Sequence, residues 1–375
     1  MNSEYFRTDG LSAGYGRHVI LSGVGITACR GEITTLIGPN GCGKSTLLRT
    51  AAKQLAALSG AVFIDGKSLS EISPNALARK LSILLTERIS PELMTCRDVV
   101  ESGRYPYTGQ LGILSAADRE AVAEAMELTS TTELSELDFG RISDGQRQRV
   151  MLARAICQQP ELLILDEPTS YLDIRHKLEL LNTLKRLVRE KNIAVLMSLH
   201  ELDLAERISD KIVCIDNGRV GRVGPPEEIF SGGYISSLYG IPGECFCESS
   251  GCAELERPSG IPRVFVISGG GKSAGVFRRL QRYGIPFAAG IIPENDADFP
   301  VASALAAEVL SCPAFFRIPE PAYLRGRELV DFCEQVICCP GSCGELNPEN
   351  TSLMELARQS GKLRPERMGI SLAVN

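Results

Sequence analysis

The sequence contains no tryptophan, only three histidines and few aromatic residues of any kind, at 6% of 375 positions. No apolar run approaches the roughly 18 residues that a membrane-spanning helix requires. The N-terminus also lacks the basic and then apolar stretch of a secretory signal peptide. We therefore expect a cytoplasmic chain, so that any role at a membrane would come through a partner.

The chain has fewer positively than negatively charged residues, with 40 Lys and Arg against 46 Asp and Glu, which gives a net charge of −6. Because nucleic-acid binding depends on concentrated Lys and Arg, this balance argues against nucleic acid as a partner. Hydrophobic residues at 44% and charged residues at 23% are typical of a globular protein. The length is sufficient for about two to three domains.

Residues 1–238 show an alternation of strands and helices. The apolar runs Ile33–Ile37, Leu162–Leu165 and Ala194–Ser198 predict buried strands, and helical stretches separate them. Such alternation indicates a mainly parallel sheet with helices on its faces. Residues 88–140 break the alternation and predict an inserted helical subdomain.

A second alternating pattern occupies residues 262–375, after a linker over 239–261 that is rich in Gly, Pro and Ser. Strands are predicted at Arg263–Ile267 and Phe287–Ile292, and a helix is predicted at Val301–Leu310. We expect a smaller, three-layer α/β domain of Rossmann-like type, with no function assigned to it.

The segment Gly38–Ser45 reads G-P-N-G-C-G-K-S and matches the phosphate-binding pattern G-x-x-x-x-G-K-[ST] in full. It follows a predicted strand and opens a predicted helix, a context that disfavours the alternative of a chance Gly-rich turn. Backbone N–H groups would surround the phosphates, Lys44 would reach the β- and γ-phosphates, and Ser45 would offer its hydroxyl to Mg²⁺. The predicted phosphate-binding residues are Gly38, Pro39, Asn40, Gly41, Cys42, Gly43, Lys44, Ser45 and Thr46.

Two acidic residues, Asp166 and Glu167, directly follow the apolar run Leu162–Leu165. A parallel strand delivers such residues to the sheet edge where ligands bind. We expect Asp166 to hold Mg²⁺ and Glu167 to polarise the attacking water. On its own such a pair is usually a solvated strand end, but the phosphate-binding loop favours the catalytic interpretation.

The segment Ile142–Arg149 resembles the signature motif of ABC ATPases, L-S-G-G-Q, with Ile142 for Leu and Asp144 for the first Gly. The residues expected to contact nucleotide are Ser143, Gly145 and Gln146. In that family the motif meets the γ-phosphate of ATP held by the opposite subunit, so the resemblance implies a homodimer around ATP. Asp144 must then point away from the phosphate.

Other landmarks of this family follow in order, and the resemblance covers residues 1 to about 238. It implies that Tyr15 stacks on adenine, that Asp173 lies in the loop linking two active sites, and that His200 contacts the γ-phosphate. Glu87 stands where the family has a Gln that contacts Mg²⁺ and water, so we expect Glu87 at the metal with Ser45 and Asp166. The alternative is a shifted loop that leaves Glu87 as a solvent-facing charge.

Residues Thr95–Tyr107 and the segment Gly38–Arg49 resemble the ATPases of importers for ferric siderophores, haem and cobalamin. This resemblance implies an α/β ABC-type P-loop NTPase domain that powers an importer. It also implies permease subunits docked on residues 88–140, an indirect substrate-binding protein, and a position at the cytoplasmic face of the membrane.

Two other functions stay open at this point. One is an ABC ATPase of DNA repair or translation, although the sequence shows one P-loop, one signature and no heptads. The other is a nucleotide-regulated enzyme built on the C-terminal domain.

The C-terminal domain carries two further patterns. Ser268–Ser273 reads S-G-G-G-K-S after a strand and is interpreted as a tight turn, with phosphate binding as the alternative. Two cysteine clusters could bind zinc or an iron–sulfur cluster. Neither has a standard spacing, and the apolar neighbours of the second suggest partial burial, so we do not assign a metal. The clusters are Cys245, Cys247 and Cys252, and Cys333, Cys338, Cys339 and Cys343.

Overall fold

The computed structural model describes residues 4–85, 93–109, 112–241, 245–247, 252–339, 341–345 and 347–365. The chain divides into two compact units, residues 1–239 and 240–375. Glu87, predicted at the metal, lies outside the described residues.

The first unit has eleven described strands and nine described α-helices. The strands are β1 (Glu4–Tyr15), β2 (His18–Val24), β3 (Thr27–Cys29), β4 (Ile33–Ile37), β5 (Ala57–Ile64), β6 (Lys67–Ser68), β7 (Leu81–Leu84), β8 (Leu162–Asp166), β9 (Ala194–Ser198), β10 (Lys211–Asp216) and β11 (Arg219–Gly224). The helices are α1 (Lys44–Ala51), α2 (Pro74–Lys80), α3 (Cys96–Glu101), α4 (Ala116–Leu128), α5 (Asp144–Cys157), α6 (Ile174–Lys191), α7 (Leu202–Ile208), α8 (Pro226–Ile229) and α9 (Tyr234–Tyr239).

The larger sheet of this unit has the order β11-β10-β4-β9-β8-β7, and all its pairs are parallel except β10 with β11. Every residue of β4, β8 and β9 is buried, which explains why these strands are continuous apolar runs. Because β9 lies between β4 and β8, the loops that follow these three strands meet at one edge of the sheet.

A second, antiparallel sheet has the order β2-β1-β5-β6, with β3 also paired to β1. One hydrophobic cluster joins the two sheets and α1, and it includes Phe6 and Leu11 of β1, Leu48 of α1, and Ile164 of β8. This packing fixes the β1–β2 hairpin beside the loop between β4 and α1.

The inserted helical region contains α3 and α4, which pack on α5. A buried ion pair stabilises this region, in which Arg104 donates to Asp118 at 2.8 Å. The same guanidinium donates to the carbonyl oxygen of Cys157 at the end of α5. Within the part of the chain that the structure describes, none of the helices combines the length and apolar character that crossing a membrane requires.

The second unit has seven described strands and four described α-helices. They are β12 (Phe246–Cys247), β13 (Cys252–Ala253), β14 (Val264–Ile267), α10 (Ala274–Arg282), β15 (Phe287–Pro293), α11 (Asp298–Leu305), β16 (Glu308–Cys312), α12 (Glu320–Phe332), β17 (Gln335–Cys338), α13 (Pro348–Gln359) and β18 (Leu363–Arg364).

The main sheet of the second unit is parallel, with the order β16-β15-β14-β17-β18. Alternate residues of β14 belong to two separate hydrophobic cores. Val264 and Val266 pack with α10 and α11 in one core, and Phe265 and Ile267 pack with α12 and α13 in the other. This is a doubly wound, three-layer α/β arrangement.

The predicted helix Val301–Leu310 was wrong in extent. The helix is Asp298–Leu305, and Glu308–Cys312 forms the edge strand β16. The sequence between them, Ala306-Ala307, carries neither Gly nor Pro to mark the break, so the two apolar stretches look continuous.

Candidate functional site

A cavity of about 430 Å³ opens over the loop between β4 and α1. Three strand ends supply its walls: the loop itself follows β4, Glu167 follows β8, and His200 follows β9. Ile20, from β2, closes one side and was not predicted. The lining residues are Ile20, Asn40, Gly41, Gly43, Lys44, Ser45, Thr46, Glu167 and His200.

Two glycines of this loop are sterically required. Gly38 has φ +148°, and a Cβ there would stand 2.1 Å from the carbonyl oxygen of Ile215. Gly43 has φ +109°, and a Cβ there would stand 2.5 Å from Leu21. The backbone can therefore lie close to β2 and β10 only with glycine at these positions.

Lys44 is buried beneath the loop, with 6% of its surface exposed. Its Nζ donates to the carbonyl oxygens of Gly38, at 2.6 Å, and of Pro39, at 3.1 Å. An ammonium group held at the floor of a cavity, beside the N-terminus of α1, is suited to an anionic ligand.

Asp166 is buried at the end of β8 and accepts hydrogen bonds from two hydroxyls. These are Ser45 Oγ at 3.1 Å and Ser198 Oγ at 2.7 Å. A hydroxyl and a carboxylate are hard oxygen donors of the kind Mg²⁺ prefers, so the residues present fit that ion.

Glu167 and His200 are brought together, since Oε1 of Glu167 lies 2.5 Å from Nε2 of His200. Glu167 has φ +51°, and its N–H donates to Ser198 Oγ while its Oε2 accepts from Ser170 Oγ. A non-glycine residue in this left-handed region is a feature of functional sites. Ser198 was not predicted as a site residue. Its position was a usable signal, because it ends β9, the strand that lies between β4 and β8.

The signature residues do not line this cavity. Ser143 is the N-cap of α5, and it forms a capping box with Gln146, with bonds of 3.2 Å and 2.9 Å. Asp144 turns back to Arg147 at 3.3 Å. Ser143 and Asp144 are exposed, so the start of α5 presents its polar groups to the outside of the unit.

Tyr15 and Asp173 also lie outside the lining of the cavity. Tyr15 ends β1 and is 48% exposed, which leaves its ring accessible for stacking. Asp173 is the N-cap of α6, and the backbone N–H of His176 holds the pKa of this exposed carboxyl below its usual range.

Tyr239, at the end of α9, was missed by sequence reasoning. Its hydroxyl oxygen accepts a hydrogen bond of 3.0 Å from the buried N–H of Gly38, the first residue of the phosphate-binding loop. Burial raises the pKa of Tyr239 to about 12, so the hydroxyl keeps its proton at neutral pH. The last helix of the first unit thus contacts the loop directly.

Replacing Tyr239 by Phe is expected to destabilise the first unit by roughly 1–3 kcal/mol, because the buried N–H of Gly38 loses its acceptor. Nucleotide affinity should fall in parallel, since the loop loses a support. Urea unfolding and nucleotide titration measure the two effects. Tyr234→Phe is the matched control, because its hydroxyl accepts from Arg222 N–H, away from the loop. Equal affinity losses in both variants would contradict the role of Tyr239.

The S-G-G-G-K-S segment of the second unit has its N–H groups occupied. Those of Gly270 and Gly271 donate to Asp296, and those of Lys272 and Ser273 donate to Asp298, which is 1% exposed. These carboxylates take the place that a phosphate would need, so the segment acts as a strand-to-helix turn.

The cysteine clusters are only partly described. The side chains of Cys247 and Cys252 lie outside the described residues. Across the described residues, no three Cys, His, Asp or Glu side chains gather as they would around a metal ion. Within the second cluster, the sulfur atoms of Cys338 and Cys343 are 3.8 Å apart.

Comparison with known proteins finds a family match in each unit. The ABC transporter family model matches residues 21–170, and the MJ0874 family model matches residues 287–364. The ABC transporter ATP-binding protein MJ0873 of Methanocaldococcus jannaschii is 42% identical over 277 residues, which are 74% of this chain and 96% of that protein. Since 277 exceeds the 239 residues of the first unit, this likeness extends into the second.

Two relatives have more specific names. The iron(3+)-hydroxamate import ATP-binding protein FhuC of Bacillus subtilis is 38% identical over 65% of this chain and 90% of its own length. The ferric enterobactin transport ATP-binding protein FepC of Escherichia coli is 34% identical over 63% of this chain and 87% of its own length. A solved ATP-binding subunit of an ABC transporter superposes with a TM-score of 0.55 and 28% identity, over 60% of this chain and 91% of that one.

These matches cover the phosphate-binding loop, the Asp166–Glu167 pair and the fold that joins them. They also count against the alternative of an ABC ATPase that is not coupled to transport. The chain belongs to the ATP-binding proteins of ABC transporters, which bind ATP, pair with permease components and hydrolyse ATP to power transport.

Proposed function

We propose that this protein is the ATP-hydrolysing subunit of an importer for iron chelated by siderophores, working at the cytoplasmic face of the membrane. The observation that supports the ATPase role is the cavity that gathers Lys44, Ser45, Glu167 and His200 at three adjacent strand ends. The import role rests on relatives named for iron(3+)-hydroxamate and ferric enterobactin transport. Haem and cobalamin are the other cargoes suggested by the sequence.

ATP would lie with its phosphates in the Gly38–Thr46 loop and its adenine on the exposed ring of Tyr15. Lys44 Nζ would exchange its bonds to Gly38 and Pro39 for bonds to the β- and γ-phosphates. Ser45 and Asp166 would hold Mg²⁺, which supplies charge neutralisation to the phosphates when bound. Ser198 keeps the Asp166 carboxylate oriented through its 2.7 Å bond.

Glu167 would orient the attacking water and accept its proton as the water oxygen attacks the γ-phosphorus. His200 would contact the γ-phosphate, and its 2.5 Å contact holds the Glu167 carboxylate over the cavity. The bond between Ser198 Oγ and the N–H of Glu167 fixes the backbone there. Positioned proton acceptors of this kind typically contribute about 10²–10⁴-fold to a rate.

The signature residues require a second copy of the chain. Ser143, Gly145 and Gln146 lie outside the lining of their own cavity, at an exposed helix N-terminus suited to anions. We propose that they complete the ATP site of a partner subunit, and that Asp173 lies at the same interface. Asp144 would stay clear of the phosphate through its pairing with Arg147.

Glu167→Gln protein is expected to be a dimer with ATP and Mg²⁺ and a monomer without nucleotide, as measured by light scattering at micromolar concentration. Adding Ser143→Phe should abolish the ATP-dependent dimer, because a bulky ring replaces the exposed hydroxyl at the interface. Ser70→Phe, at another exposed serine, is the matched control. A monomer in both conditions would contradict the sandwiched dimer.

Transport itself is tested by reconstituting this chain with a permease that it binds and with that permease's substrate-binding protein. ATP-dependent uptake of labelled ferric hydroxamate into vesicles, and no uptake of haem or cobalamin, is the expected result. Uptake of cobalamin or haem alone would overturn the proposed cargo while leaving the ATPase role intact.

A further inference from the structure

The loop after β17 brings two thiols together. Cys338 ends the strand, Cys343 follows five residues later, and their sulfur atoms are 3.8 Å apart. Both side chains are half-buried. Cys339 is not part of this pair, because it is 3% exposed and packs in the core on one face of the sheet, whereas Cys338 packs against the core on the other.

Hydrogen bonds hold the residue before Cys343 in place. Ser342 is fully buried, and its carbonyl oxygen accepts from Asn347 at 2.6 Å and from Asn350 at 2.9 Å. Asn350, also fully buried, bonds to both backbone groups of Ile291 in β15. The residue before Cys343 is therefore tied to the first turn of α13 and to a central strand, so the closeness of the thiols is imposed by packing.

A cavity of about 500 Å³ gives access to the thiols. Three cysteines line it, Cys338, Cys339 and Cys343, together with Met354, Leu363 and Arg364. Of the three, Cys339 is buried, with 3% of its surface exposed. Across the described residues, no third Cys, His, Asp or Glu joins the two thiols in a metal-binding group. The surroundings thus offer two-sulfur chemistry and room for a small molecule beside it.

We propose that Cys338 and Cys343 form a reversible dithiol–disulfide site that exchanges with low-molecular-weight disulfides. The thiolate of one cysteine attacks a sulfur of the external disulfide and releases one small thiol. The second cysteine then attacks the resulting mixed disulfide, so the Cys338–Cys343 bond forms and the second small thiol leaves. Two protein thiols are oxidised, one external disulfide is reduced, and the two protons pass to the leaving thiolates.

The required movement is small. A disulfide needs its sulfur atoms about 2.05 Å apart, so the pair must close by roughly 2 Å, a distance within reach of side-chain rotation. The closed ring is short and lies between a strand end and a helix start, so the remainder of the sheet does not have to rearrange.

The test uses the full-length protein equilibrated in a series of reduced and oxidised glutathione ratios. At each ratio the protein is unfolded in denaturant so that buried thiols also react, and free thiols are blocked with N-ethylmaleimide. Disulfides are then reduced, and the released thiols take a second label. Trypsin cleaves after Arg327 and next after Arg358, because no Lys or Arg lies between them. One tryptic peptide, residues 328–358, therefore holds all four cysteines of this region, and fragmentation spectra assign the label on each. The expected result is that Cys338 and Cys343 move to the second label together, with one midpoint, while Cys339 and Cys333 keep the first.

Two variants sharpen the result. Cys343→Ser should leave Cys338 able to form only a mixed disulfide with glutathione, and Cys339→Ser, the matched control, should keep the paired oxidation. The proposal is overturned if Cys338 and Cys343 stay blocked as fully as Cys339 at every ratio. It is also overturned if zinc protects both thiols from N-ethylmaleimide under reducing conditions, which would make them metal ligands.

Discussion

Replacing Glu167 by Gln is expected to lower ATP hydrolysis by about 10²–10⁴-fold, the usual contribution of a positioned proton acceptor. The amide cannot take the proton of the attacking water, although it retains the shape of the carboxylate. ATP binding should persist, because Lys44, Ser45 and the backbone of the loop are unchanged. Phosphate release under saturating ATP and nucleotide titration measure the two quantities separately.

The matched control is Glu179→Gln on α6. That carboxylate pairs with Arg175 on an exposed face and does not line the cavity, so hydrolysis should stay at the wild-type rate. Hydrolysis by Glu167→Gln at the wild-type rate would show that another group accepts the proton. A parallel loss of ATP affinity would instead mean that Glu167 acts in binding.

The central strands of this fold could be predicted from the sequence because each one is a short, continuous run of apolar residues. The runs Ile33–Ile37 and Ala194–Ser198 are β4 and β9, with the same bounds, since strands buried on both faces are apolar without interruption. The parallel arrangement then places the residues after them at one edge. That is why Asp166, Glu167 and His200 could be expected near the Gly38–Ser45 loop.

The residues that were missed act across long separations. Tyr239 supports Gly38 from 201 residues away, and Ser198 reaches Asp166 from 32 away. A tyrosine at a helix end, or a serine at a strand end, carries no local mark of its tertiary partner. Only the packing of α9 and β9 against the loop reveals these contacts.

The second unit shows the converse case. A local pattern that suggests a phosphate site binds a carboxylate of the same chain instead. Ser268–Ser273 has the glycines and the following helix of a phosphate site. Asp298, more than twenty residues later, fills it with a buried carboxylate that accepts from Lys272, Ser273 and Ala274. Glycine spacing indicates that the backbone N–H groups point inward, but not which acceptor they meet.

Replacing Lys44 by Ala is expected to weaken ATP binding by about 10²-fold or more. Each charge-assisted hydrogen bond contributes roughly 1.5–3 kcal/mol, and Lys44 would make such bonds to both the β- and γ-phosphates. The ammonium is buried, so water cannot readily replace it. Hydrolysis should fall below detection at ATP concentrations that saturate the wild type, because the phosphates are no longer held.

Lys53→Ala separates this effect from a general loss of packing. Lys53 Nζ also donates to two backbone carbonyls, those of Leu69 at 2.8 Å and Ile72 at 3.0 Å, but it does not line the cavity. Both variants should lose similar stability in urea unfolding, since each leaves two carbonyls without their donor. Only Lys44→Ala should lose ATP affinity in calorimetric titration. Equal affinities in the two variants would place the phosphates away from Lys44.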